Sequence, residues 1–213
     1  MSKLNTNPIR ILIVDDHPVV CSGLTSMLSA QPGLDIVGSA ASGEEALSII
    51  KRNKPDLLLL DLRMPGMDGI GVLQALKKFE ASPRVIILTS FDKDEDIYRA
   101  IRAGAQGYLL KDTTEAEMIA AITVVNSGNR YIPRHIAARL ADRMMRSDLT
   151  ARELQILEQL AEGSTNKQIA EALDISDNTV RHHVNSIMEK LQVSDRTEAV
   201  ATAIRSGVLS GTD

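Results

Sequence analysis

The chain has no tryptophan, two phenylalanines and three tyrosines in 213 residues, so only 2% of it is aromatic. Proteins that hold single-stranded nucleic acid stack its bases on aromatic rings, and a chain this poor in rings is not built for that. Its single cysteine, Cys21, rules out an internal disulfide and fits a reducing cytoplasm. In a helix-period stretch that thiol reads as a small packing group. No apolar run approaches the length that spans a bilayer, and "MSKLNTNPIR" lacks the apolar segment of a signal peptide. The expectation is a cytoplasmic protein with no membrane partner. Excess positive charge is missing too: 24 Lys/Arg against 28 Asp/Glu leave a net of −4, which argues against indiscriminate binding to nucleic acid. Residues 1–130 hold 14 basic and 16 acidic groups, residues 131–147 hold 4 and 1, and residues 148–213 hold 6 and 11. A claim on DNA for the last segment must therefore rest on local arrangement.

With 44% hydrophobic residues the chain can bury a sizeable core, and its length suits one large or two ordinary domains. The first 125 residues alternate strand and helix signals five times. "RILIVDD" (10–16), "DIVGSA" (35–40), "LLLLD" (57–61), "VIILTS" (85–90) and "GYLLK" (107–111) are short β-branched or leucine-rich runs, as strands covered on both faces require. Helix-period stretches separate them. Pro18 suits a first helical turn, and "SGEE" (42–45) has the spacing of a capping box. Such alternation implies an α/β fold, a parallel sheet with helices on both sides. From residue 128 the pattern changes to a basic stretch with Gly128 and Pro133, read as a linker carrying a helix of its own. From Leu149 onward only helix signals remain, at about 150–161, 166–173, 177–191 and 195–205. "TARE" (150–153) is a second capping box, Gly163 closes the first of these helices, and Asp195 with Glu198 caps the last.

Sites in open α/β sheets form beyond the carboxyl ends of the strands. There this sequence places Asp15 and Asp16, Asp61, Thr89 with Ser90, and Lys111. An aspartate ending a run of four leucines is costly unless paired or metal-bound. Three clustered carboxylates repel one another unless a cation intervenes. Hard oxygen donors with room for water suit Mg²⁺, and Lys111 supplies a second positive charge. A carboxylate so held can attack phosphorus and form an aspartyl phosphate, with metal and lysine neutralising the transferring oxygens and the Thr89 hydroxyl donating to the product. Each residue alone reads equally as a cap or surface acid; the set is specific because all fall at one rim. "DLRMPGMDG" is superficially like a calcium loop but lacks its spaced acids and terminal glutamate.

In the last segment, "NKQIAEALDISDNTVRHHVNSIMEKL" (166–191) carries a helix–turn–helix signal. Ile169, Ala170 and Leu173 form one apolar stripe, Ile175 plugs the turn and Ser176 caps the next helix. Val180, Val184, Ile187 and Leu191 form its buried face. Asn178, His182 and Asn185 point the other way with Arg181 on a flank, a set suited to base edges in a major groove. Lys167 and Lys190 sit where phosphate contacts are expected. The same spacing also fits a small bundle that binds protein.

The acid pair Asp15–Asp16, "DLRMPGMDG", "TS" at 89–90 and "GYLLKD" at 107–112 resemble the receiver domain of two-component response regulators over residues 9–127. That resemblance implies a flavodoxin-like fold with five parallel strands, phosphorylated by a partner histidine kinase. It makes Asp61 the phospho-acceptor, and Asp15, Asp16, Asp61 and the Arg63 backbone carbonyl the Mg²⁺ ligands. It pairs Lys111 with the phosphoryl group and makes Thr89 and Tyr108 a hydroxyl–aromatic switch. Arg63 and Phe91 occupy places that control water access. "LTARELQILEQLAEGSTNKQIAEALDISDNTVRHHVNSIMEKLQVSDRTEAV" resembles the LuxR-type four-helix DNA-binding domain over about 149–207, and the two together resemble the NarL/FixJ family of transcriptional regulators. Carried over, Arg181, His182 and Asn185 fall at the base-reading positions, and Asn166, Lys167, Thr179 and Lys190 at phosphate contacts. His182 and Asn185 depart from the family's common choices. The expected organisation is a receiver at 9–127, a linker at 128–148 and a DNA-binding domain at 149–213.

The expected function is phosphorylation-dependent transcriptional regulation, with double-stranded promoter DNA, RNA polymerase and a second copy of the phosphorylated chain as further partners. A final helix bearing Val200, Ala203 and Ile204 is the candidate dimer face, unless those residues only complete the bundle core. The reading from another class is a Mg²⁺-dependent phosphohydrolase with Asp61 as nucleophile. It needs a general acid two residues on, where Arg63 stands.

Overall fold

The computed structural model describes residues 7–90, 93–144 and 148–209; Phe91 lies outside them, as do 145–147 in the linker and 210–213 at the end. The chain forms two compact units, one of residues 1–92 with 96–138 and the other of residues 93–95 with 139–213.

The first unit is a parallel sheet of β1 (Ile9–Val14), β2 (Leu34–Ala40), β3 (Leu57–Leu60), β4 (Arg84–Thr89) and β5 (Gly107–Leu110), in the order β2-β1-β3-β4-β5. Helices α1 (Pro18–Ser29), α2 (Gly43–Asn53), α3 (Gly69–Leu76), α4 (Asp94–Ala103) and α5 (Glu115–Asn126) connect or follow them. Parallel strands need such crossovers, and this order puts the switch in connection direction between β1 and β3, where ligands bind in open sheets. All four leucines of β3 are buried, which its central place and two covered faces require. Ile11, Ile13, Leu57 and Leu59 pack with Leu28 of α1 and with Met118, Ala121, Ile122 and Val125 of α5. Alternate residues, Leu12, Val14, Leu58 and Leu60, turn to the opposite face.

Local signals behave as their chemistry demands, with one correction. Pro18 opens α1, and the Ser42 hydroxyl accepts from the Glu45 N–H at 3.2 Å. Glu45, however, reaches one residue further back than a capping box requires and accepts from Ala41 N–H at 2.8 Å. The sheet also gains an edge the sequence did not announce. Tyr131 bridges β5 at Gly107, its N–H donating to Gln106 O at 3.0 Å and its carbonyl accepting from Tyr108 N–H at 3.1 Å.

The next helix, α6 (Arg134–Met144), has its first residues in the first unit and its remainder in the second. The second unit continues with α7 (Ala151–Ala161), α8 (Asn166–Leu173), α9 (Asp177–Leu191) and α10 (Arg196–Ser206). Thr150 and Glu153 form the reciprocal capping box, and Gly163, at φ +84°, closes α7. Thr165 with Gln168 makes another at α8. Ser176 caps α9 and Asp195 caps α10. Ile156, Leu157, Ile169, Val180, Ile187, Ala199 and Ala203 are fully buried in one core. No helix among the described residues is long and apolar enough to cross a membrane.

Candidate functional site: an acidic nest in the first unit and an exposed helix in the second

The ladder of the sheet places the acids. Beyond the end of β1, Asp15 N–H donates to Ala40 O at 3.0 Å, and beyond β3, Asp61 N–H donates to Val14 O at 2.8 Å. The pairing thus runs one residue past each strand and sets the two carboxylates side by side. Both are nearly sealed from solvent, at 3% and 4% exposure. Lys111, brought in as its N–H donates to Thr89 O at 2.9 Å, sends its ammonium between them, 2.7 Å from Asp15 Oδ2 and 2.9 Å from Asp61 Oδ2. Burial alone lowers a lysine pKa; the bonds and negative charge of Asp15 and Asp61 outweigh it and hold Lys111 above its ordinary value. The second Asp61 oxygen accepts from Leu62 N–H at 2.8 Å.

Asp16 completes the cluster. Its Oδ1 is buried and has no hydrogen-bond partner among the described residues. The His17 ring nitrogen Nδ1 stands at 2.9 Å without the alignment of a hydrogen bond, and also lies 3.2 Å from Asp15 Oδ1. Ligand atoms of Asp15, Asp16, His17 and Asp61 all fall within 4.8 Å of one another. A buried, unsatisfied carboxylate oxygen beside two others fits a divalent cation bound through oxygen. Sequence reasoning missed His17, whose only signal was its place directly after the acid pair.

Thr89 and Tyr108 both have no exposed surface. Arg63 Nη2 donates to Asp96 Oδ2 at 3.0 Å. Asp68, in the loop that follows Asp61, caps α3 by accepting from Gly71 N–H at 2.7 Å, a structural duty rather than a calcium ligand's. Gly69 holds the loop close: a Cβ there would fall onto the Asp61 carbonyl oxygen and 2.9 Å from Leu62 Cα. Backbone cannot yield as a side chain can. Gly69→Ala is therefore expected to cost about 1–3 kcal/mol of stability. Thermal melting checks this, and an alanine variant melting with the wild type counts against it.

In the second unit Arg181, His182, Asn185, Asn178 and Thr179 are exposed on α9, opposite buried Val180, Val184 and Ile187. Thr179 is held by Ser176, hydroxyl to hydroxyl at 2.8 Å. Lys167 is exposed near the start of α8, where Asn166 keeps a buried Oδ1 with no partner among the described residues. Lys190 differs from its expected place at a phosphate: its ammonium turns inward, 2.7 Å from Glu153 Oε2, because Glu153 is buried and needs a cation. Ala203 lies in the bundle core, with Val200 and Ile204 partly buried against it.

A parallel sheet with a lysine-tied acid nest at its carboxyl rim, followed by a helix–turn–helix bundle with an exposed polar helix, defines a regulator made of a sensing module and a reading module. Comparison with known proteins agrees. The response regulator receiver domain matches residues 11–123, and the bacterial regulatory proteins of the luxR family match residues 147–203. Transcriptional regulatory protein LiaR of Bacillus subtilis (strain 168) is 40% identical over 210 residues, covering 95% of this chain and 100% of LiaR. The crystal structure of response regulator ChrA of a heme-sensing two-component system is 38% identical, covers 95% of this chain and 100% of its own, and superposes with a TM-score of 0.57. RcsB of Salmonella enterica serovar Typhimurium, solved bound to promoter P1flhDC in the presence of phosphomimetic BeF3⁻, gives a TM-score of 0.73 over 94% of this chain and 100% of that one; at 24% identity this is a likeness of fold. The chain belongs to the NarL/FixJ family of two-component response regulators and is a DNA-binding transcriptional regulator.

Proposed function

We propose that Asp61 is the phospho-acceptor and that its phosphorylation by a histidine kinase controls binding of α9 to promoter DNA. The observation that carries this is the convergence of Asp15 and Asp61 on Lys111 at 2.7 and 2.9 Å, beside an oxygen of Asp16 that has no partner among the described residues. The residues fit Mg²⁺, with Asp15, Asp16, Asp61 and the Arg63 backbone carbonyl as its ligands. Bound there, the ion supplies positive charge against the phosphoryl oxygens. A carboxylate oxygen of Asp61 bonds to phosphorus as the P–N bond to the donor histidine breaks. Lys111 neutralises the added charge and the Thr89 hydroxyl donates to it; Tyr108, buried on the adjacent strand, reports the change.

In the reading module, Arg181, His182, Asn185 and Asn178 meet base edges, and Asn166, Lys167 and Thr179 meet phosphates. Lys190 is left out because its ammonium is held by Glu153. The phosphorylated form acts as a homodimer on half-sites roughly 10 bp apart or a multiple of that, in the cytoplasm, where it meets RNA polymerase. Val200 and Ile204 line a hollow of ≈ 500 Å³ beside α10, which supports that helix as the dimer face. Domain limits of 9–127, 128–148 and 149–213 go with this reading. The protein is a regulator and not a hydrolase: two residues after Asp61 stands Arg63, which supplies no acid.

The test compares wild type with Asp61→Asn, each with and without acetyl phosphate and Mg²⁺. Wild type is expected to gain one HPO3 on Asp61 and at least tenfold in promoter affinity, and the variant neither. Equal binding by both, with and without donor, overturns the proposal.

A further inference from the structure

The recognition helix carries an acid where a DNA reader has least use for one. Asp177 is the first residue of α9, and Arg181 follows one turn later. Arg181 Nε donates to Asp177 Oδ2 at 2.8 Å, and both side chains are exposed, 67% and 42%. The order, acid four residues before base, is the favourable one on a helix, and the carboxylate also suits the positive end of the helix dipole. An exposed pair of this kind adds little to stability. Its effect on geometry is larger.

A guanidinium presents its hydrogen-bond donors on two edges. One includes Nε, and the other is formed by the two terminal nitrogens. The carboxylate of Asp177 occupies Nε, which restrains the guanidinium plane and leaves the Nη1–Nη2 edge for another acceptor. That edge matches the N7 and O6 acceptors of guanine, which arginine reads in bidentate fashion. Fixing the plane before DNA arrives removes rotamer freedom that a long side chain otherwise gives up on binding. Asp177 also cancels the charge with which Arg181 would hold any phosphate, weakening sequence-independent binding. The balance suits a module with 6 basic and 11 acidic groups in residues 148–213, where discrimination has to come from directed bonds rather than from net attraction.

We propose that Asp177 is a specificity-determining positioning residue: it grips Arg181 by its Nε edge so that the free edge reads one guanine in the major groove. The proposal rests on the reading of α9 as the DNA-recognition helix, and the test separates the two. The full-length chain, treated with acetyl phosphate and Mg²⁺, is put through selection from a random duplex library. Affinities are then measured for the selected site, all its single-base variants and an unrelated duplex, over a series of salt concentrations. Four forms are compared with wild type: Asp177→Ala, Asp177→Glu, Arg181→Ala and the double alanine variant.

Asp177→Ala is expected to keep binding but to lose about 5–10-fold in discrimination at one guanine position, the one that Arg181→Ala abolishes. Its affinity for the unrelated duplex is expected to rise, with the slope of log K against log salt steeper by about one. Asp177→Glu, which keeps a carboxylate one turn from Arg181, retains the discrimination. The double variant should lose no more than Arg181→Ala alone. An unchanged base profile in Asp177→Ala, or losses that add in the double variant, overturns the role of Asp177 while leaving α9 as the reader. Arg181→Ala binding every duplex as wild type does overturns both. A cap that merely stabilised the helix would lower all affinities together and leave the ratios between sites untouched.

Discussion

Lys111→Met is expected to destabilise the first unit by about 3–5 kcal/mol in the absence of divalent ions, because it leaves two sealed carboxylates without their cation. Asp15 and Asp61 are 3% and 4% exposed, so water screens the uncompensated charge poorly. Methionine fills similar space, which separates loss of charge from loss of packing. Millimolar Mg²⁺ should recover part of the deficit by supplying positive charge to the same oxygens, and should help the variant more than the wild type. Lys111→Arg, which keeps the charge, should fall between them. Denaturant unfolding followed by hydrogen exchange at the Leu59 and Ile87 amides, with Mg²⁺ or with a chelator, measures all of this. Unchanged stability, or a loss that Mg²⁺ does not touch, would show that the nest is not held by charge.

Glu153→Gln is expected to remove on the order of 3 kcal/mol from the second unit at neutral pH and to flatten its acid limb. Glu153 is 3% exposed and is surrounded by donors: Thr150 N–H at 2.6 Å, Ser186 Oγ at 2.7 Å and Lys190 Nζ at 2.7 Å. Burial by itself raises a carboxyl's pKa. Here the bonds from Lys190, Ser186 and Thr150 more than offset it and hold Glu153 at about 2, against an ordinary 4.5. The folded value lies below the unfolded one. The stabilisation is therefore complete above pH 4.5 and lost as pH falls through about 2, and a gap of that size corresponds to roughly 3 kcal/mol. The glutamine variant cannot take up that proton, and Lys190, at 22% side-chain exposure, can turn to water, so the bundle still folds. Hydrogen exchange at Val184 and Ile187 over the acid range reads the difference. Equal acid dependence in variant and wild type would assign the stabilisation to other groups.

Much of the architecture was legible residue by residue. The stripes of α8 and α9 place those helices at 166–173 and 177–191, as observed, because a period of 3.6 sustained between capping residues leaves one consistent reading. Strands were read too long at their carboxyl ends, by two residues at Asp16 and by one at Asp61, Ser90 and Lys111. The first residue beyond β1, β3 and β5 still donates its N–H to the neighbouring strand, so nothing local marks the end. The backbone turn at helix ends without glycine carried no signal of its own, although α8 and α9 were closed at the right residues. Lys54, Asp174 and Gln192 adopt the left-handed conformation at helix C-caps, with φ of 46°, 53° and 56°, a role usually signalled by glycine or asparagine. The edge formed by Tyr131 had no local signal, since one bridging residue carries no period.

The sequence alone determined which faces are buried and which chemical groups gather at one rim, because both follow from short-range periodicity and from the rule that parallel strands end on the same side. The rim rule also brought Lys111 to Asp61 across 50 residues. Away from the rim, only the tertiary structure decided which charge meets which: Lys190 reaches Glu153 across 37 residues. Even His17, adjacent to its acids, took a direction that no pattern announced. Long side chains sweep several ångströms about a fixed Cα, and a buried carboxylate draws whichever cation the packing brings within that sweep. Their partners therefore become readable only when distant elements are in place.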